Sequence, residues 1–94
     1  MTRSILSSEL KCYLCGSRRD LEEHHIFGAA NRKKSEKYGL KVFLCHYCHN
    51  EPPMGVHHNK AISDQLKKVG QTVWMRTYDK TERDFVREFG KSYL

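Results

Sequence analysis

Four cysteines stand in two C-x-x-C pairs, Cys12 with Cys15 and Cys45 with Cys48. Zinc takes four soft donors in a tetrahedron, and one tight turn of this spacing supplies two thiolates, so two such turns close a site. The 29 residues between Cys15 and Cys45 leave room for a hairpin with a working loop. Gly16, directly after Cys15, suits a knuckle in which backbone N–H groups turn toward sulfur. The competing chemistry is a disulfide framework, which belongs to exported chains. Nothing in the opening MTRSILSSELK forms the apolar run of a signal peptide, so the paired spacing reads as a structural Zn²⁺ site.

The six histidines are grouped as tightly as the cysteines. His24 and His25 are adjacent, His46 sits inside the second C-x-x-C, His49 follows Cys48, and His57 and His58 form a second pair. Neighbours on a strand face opposite ways. One of His24 and His25 can therefore reach a metal ion while the other points at a substrate. Hydrolysis of a phosphate ester needs that division: a cation to neutralise charge, and a base to take a proton from water. An imidazole titrates near neutrality and suits the second task. For any single histidine here a solvated surface side chain is the simpler reading. It is the grouping that argues for chemistry.

The elements that must position these groups are short. Leu21–Phe27 reads as a strand entering a turn at Gly28, and Lys41–Leu44 as a second strand ending at Cys45. Between them, Asn31–Gly39 is polar and basic and reads as a loop or one helical turn. A helix or turn begins after Cys45 and is interrupted by Pro52 and Pro53. A longer helix starts near Asn59, a suitable N-cap, with Ile62, Leu66, Val69, Val73 and Trp74 on one face and Gly70 weakening it. Thr81 and Asp84 signal a capping box for a last helix, whose buried side is Phe85, Val86 and Phe89 and whose end is Gly90. Ile5, Leu6 and Leu10 of the lead-in are available to pack on the body.

At 94 residues and a mean hydropathy of −0.74, the chain is one domain with a modest core that a metal staple would help. The expected class is α+β, with the zinc knot and strands in residues 12–59 and C-terminal helices in 60–94. No stretch is apolar enough to span a bilayer, and the expectation is a cytoplasmic protein with reduced thiols and no membrane partner. A net charge of +6 suggests a polyanionic partner. Arg18 and Arg19 beside the first knuckle, and Arg32, Lys33, Lys34 and Lys37 between the strands, are the candidate phosphate contacts. Such contacts position nucleic acid without specifying its sequence.

The run Cys12-x-x-Cys15, then Leu21 to Ile26 (LEEHHI), then Leu44 to Asn50 (LCHYCHN), resembles the zinc-containing HNH endonucleases of the His-Me finger, or ββα-metal, superfamily. The resemblance covers roughly residues 12–59, about half the chain. HHIFG, an Asn-Arg and the late VHHN look similar to small HNH proteins of phages and prophages, which implies a bacterial host cell. It implies a ββα-metal core and metal-dependent hydrolysis of DNA phosphodiester bonds, by nicking or double-strand cleavage. His25 takes the place of the general base, and His24 and His49 those of ligands to a catalytic divalent ion. The further ligand expected one turn later falls on Pro53, so His57, in preference to His58, is its expected replacement. The motif's middle asparagine, expected near Leu40, is absent there, and Asn31 is the residue left to orient the base. The catalytic ion is Mg²⁺, Mn²⁺, Ni²⁺ or Zn²⁺, and a histidine-rich donor set favours the transition metals.

Two other functions fit parts of the pattern. A non-catalytic, zinc-stabilised nucleic-acid-binding module, such as a phage accessory protein, accounts for the charge and the knot but leaves the paired histidines unemployed. An interaction module would use the C-terminal helices to dock a phage protein or a second copy of the chain. Core packing is the expected use of those helix faces.

Overall fold

The computed structural model describes residues 3–94. Two strands, β1 (Leu21–His25) and β2 (Lys41–Cys45), pair antiparallel, with Leu21 opposite Cys45, His24 opposite Val42 and His25 opposite Lys41. Helix α1 (Arg32–Tyr38) bridges them, and α2 (His46–Asn50) follows β2 directly, giving a β–β–α order at the centre of the chain. Helices α3 (Lys60–Thr77) and α4 (Glu82–Phe89) complete an α+β fold. Among the described residues no helix is long and apolar enough to cross a membrane.

The segment between the strands is more ordered than its polar composition suggested. Where one turn or a loop was expected, α1 runs for seven residues. Its anchor is Ser35, fully buried, whose hydroxyl donates to Phe27 O at 2.7 Å and accepts from Phe27 N at 3.0 Å. Gly39 then ends the helix at φ 74°, and a Cβ there would lie 2.2 Å from Arg3 O. Only glycine fits that close approach in the left-handed region. The chain returns through Leu40, whose carbonyl accepts from Ile26 N at 3.0 Å. Strand β1 accordingly stops at His25, two residues short of the expected end, because Phe27 has turned its backbone toward Ser35.

Helix α3 begins as expected: the Asn59 side chain accepts from Ile62 N at 3.1 Å. Its buried face is Leu66, Gly70, Gln71 and Trp74, while Val69 and Val73 are only half-buried. Gly70 is where the helix meets the turn after β1, since a Cβ there would lie 3.3 Å from Ile26 and from Phe27. The residue that weakens α3 as an isolated helix thus brings it close to the sheet. Helix α4 carries the Thr81/Asp84 capping box and buries Phe85 and Phe89, stacked at 4.4 Å. Val86, expected inside, is 39% exposed because the face is only two residues wide. In the lead-in, Ile5 and Leu6 pack on the core but Leu10 is 64% exposed, on the approach to the first knuckle.

One core takes in residues from the knot, the strands and the C-terminal helices: Cys12, Phe27, Leu40, Leu44, Leu66, Trp74, Phe85 and Phe89. Truncating Leu44 to alanine there would cost about 2–5 kcal/mol, a large share of what a domain this small possesses.

Candidate metal centres and the histidine cluster

The thiol knot is built from two turns and the hydrogen bonds that join them. Cys15 N donates to Cys12 Sγ and Cys48 N to Cys45 Sγ, each at 3.5 Å. Gly16 carries the turn at φ 80°, yet its N–H goes to Cys12 O rather than to sulfur. Tyr13 N donates to Phe43 O and His46 N to Asp20 O, so each knuckle is tied to the chain leading to the other. The four Sγ atoms all lie within 4.8 Å of one another, so they could hold one zinc ion. Their acidities diverge, as expected for four thiols crowded together. Burial raises Cys12, but backbone hydrogen bonds outweigh it and bring its pKa down to about 6. Burial and its three sulfur neighbours push Cys48 far up. A thiolate at one corner suppresses ionisation at the next, and a tetrahedral cation is the group that would let all four ionise.

The second constellation lies on the other side of α2. His24 is buried on the β1 face shared with Glu22, while His49 comes from α2 and His57 from the short 3-10 turn Val56–His58. Their donor nitrogens also lie within 4.8 Å of one another, and the ring centroids are 4.6–5.3 Å apart. His49 Nε2 and His57 Nε2 approach to 2.9 Å. Glu22 supplies the orientation: His49 Nδ1 donates to Glu22 Oε1 at 2.7 Å, and Asn50 Nδ2 donates to the same oxygen at 2.8 Å. A carboxylate only accepts, so the proton of neutral His49 is on Nδ1 and its Nε2 lone pair faces the other two rings. Burial, then the neighbouring His49 and His57, hold the His24 pKa down at about 3. Burial likewise lowers His57. These rings are therefore neutral, the state in which imidazole binds a metal.

His25 points the other way. It lies beside Lys41 of β2, and its Nε2 is 3.1 Å from Glu36 Oε1. Asn31 does not reach it, because the Asn31 amide donates to Phe89 O at 2.9 Å and ties α1 to α4. His58 is exposed and stands outside the cluster that His57 joins. His46 is held between Glu22 and Glu51, which raise its pKa, and takes no part in the cluster. Of the basic residues, Arg18, Arg19, Arg32, Lys33 and Lys37 are exposed, whereas Lys34 donates to Glu88 O and is committed to α4.

Glu22 and Glu36 are the functional candidates that the sequence pattern did not single out. For Glu22 the alternation along β1 was an available signal, since it shares the face of His24; Glu36 lies on α1 and had none. An open cleft of about 450 Å³, lined by His57, His58, Lys60 and Lys67, adjoins the histidine cluster.

Comparison with known proteins finds no family, no curated protein and no solved structure that matches this chain.

Proposed function

We propose that the protein is a metal-dependent endonuclease of the HNH, or His-Me finger, type, hydrolysing DNA phosphodiester bonds with His25 as general base. The observation that carries the reading is the convergence of His24, His49 and His57, with His24 and His57 held neutral and His57 open to solvent, at the end of the strand that also carries His25. Three imidazoles, one of them held by a carboxylate on its far nitrogen, fit a divalent transition metal better than Mg²⁺. When bound, that ion supplies positive charge to the scissile phosphate and the departing oxygen.

The chain's own residues do the rest. Glu22 fixes His49, and the turn at Val56–His58 delivers His57. His25 takes a proton from water, whose oxygen bonds to phosphorus as the bond to the leaving sugar oxygen breaks. Solvent returns a proton to that oxygen. Arg32, Lys33 and Lys37 on α1, with Arg18 and Arg19, hold flanking phosphates. The thiol knot, with its zinc, keeps β2 and α2 in register and takes no part in the chemistry.

A non-catalytic nucleic-acid-binding module is the second reading, favoured by the engagement of Asn31 with Phe89 and by the limited exposure of the His25 side chain, 11%. His25→Ala separates the two. Loss of cleavage by about 10²–10⁴-fold with DNA binding retained supports the nuclease. An equal fall in binding, or wild type that cuts nothing with any of Mg²⁺, Mn²⁺, Ni²⁺ or Zn²⁺, supports the binding module.

A further inference from the structure

The asparagine that the HNH pattern uses to orient the base has no counterpart beside His25, and a carboxylate stands there. We propose that Glu36, clamped by Lys41, is the positioning residue of the site: it holds the His25 ring with Nε2–H toward its own oxygen and leaves Nδ1 to take the proton. This rests on the hydrolytic reading above.

The arrangement follows from how α1 is seated. The doubly hydrogen-bonded Ser35 pins the helix to the turn after β1, and Glu36, the next residue, falls against the His25–Lys41 end of the strand pair. Its two oxygens have separate partners. Oε1 is 3.1 Å from His25 Nε2, and Oε2 is 2.7 Å from Lys41 Nζ. The carboxylate cannot rotate without losing one of them. Because it only accepts, Nε2 carries the hydrogen in the neutral ring, and the lone pair is on Nδ1.

Lys41 fits a clamp better than a surface charge. It is 4% exposed, lies directly across the strand pair from His25, and also reaches Glu23 Oε2 at 3.3 Å. A buried ammonium is retained only where carboxylates surround it. Glu23, His25 and Glu36 would by themselves pass for a third cation site. Here the Lys41 ammonium already occupies that role, so the cluster orients a ring rather than binding an ion. A carboxylate on the far nitrogen of a base histidine fixes its tautomer and steadies the imidazolium that forms.

The test combines kinetics with a tautomer measurement. On supercoiled plasmid with the activating ion, Glu36→Ala and Glu36→Gln should each lower kcat by about 100-fold, the cost of a misplaced catalytic group, with little change in KM. Lys41→Met should give a smaller loss of the same kind. Adding Glu36→Ala to His25→Ala should cost nothing more, since Glu36 acts through His25. Nitrogen NMR of the wild type should show His25 protonated at Nε2. Retained kcat in both Glu36 variants, additive losses in the double variant, or a wild-type proton on Nδ1 overturns the proposal. Should the wild type cleave nothing, the hydrolytic reading falls, and the tautomer still decides whether Glu36 positions the ring.

Discussion

Two clusters that could hold a metal ion share one five-residue helix, and they differ in the number, origin and exposure of their donors. The thiol knot offers four donors, sequence-paired and partly withdrawn from solvent, enough to fill the coordination of one tetrahedral ion. The histidine cluster offers three donors, drawn from a strand, a helix and a turn, with His57 at the surface beside an open cleft. A closed set leaves an ion nothing to do but hold chain segments together. An open set leaves a coordination position for substrate or water. Helix α2 serves both, with Cys48 on one side and His49 on the other.

Breaking the knot should have the largest effect. Cys45→Ser should abolish the cooperative fold, since structural zinc contributes roughly 10–16 kcal/mol in small zinc domains; circular dichroism with zinc analysis would show both lost together. His24→Ala should leave one zinc per chain and a normal melting transition while removing the exchangeable metal, as read by calorimetric titration with Ni²⁺. Glu22→Gln sharpens the contrast. It deprives His49 of its charged acceptor and should weaken exchangeable-metal affinity about 10–100-fold without loosening the knot.

The pH behaviour distinguishes the histidines themselves. His46, raised by Glu22 and Glu51, should already be protonated as pH falls through 6.5, while His24 stays neutral. The folded-state pKa of His24 is depressed, so the unfolded chain binds the proton more readily. The stability it confers is present above 6.5 and declines as pH falls toward about 3. Imidazole NMR titration of protein stripped of its exchangeable ion checks the order. The smallest effect belongs to the basic rim. Lys33→Ala should weaken DNA binding and reduce the salt slope by about 0.9, whereas Lys34→Ala, tied to Glu88, should change the slope little.

Much of this was legible in the sequence because donors of one type at fixed spacing admit few geometries. The paired cysteines are the clearest case, and the second strand and the caps at Asn59 and Thr81 are local signals that the structure repeats. What escaped the sequence depends on contacts distant along the chain. Helix α1 read as a loop or one helical turn because its buried anchor, Ser35, is a polar residue whose partner lies at Phe27. Asn31 looked available for the base until α4 claimed its amide. Glu22 and Glu36 drew no reading of their own from the sequence, since their contacts are with residues 27 and 11 positions away. Polar partners of this kind carry no periodicity, and only the folded chain brings them together.

The most direct test is plasmid cleavage by protein that retains one zinc per chain but has lost its exchangeable ion, for wild type and His24→Ala side by side. The account predicts that Ni²⁺ or Mn²⁺ restores nicking to the wild type and not to the variant, with zinc content equal in both. Cleavage by the zinc-only protein, or equal rescue of the two, would contradict it.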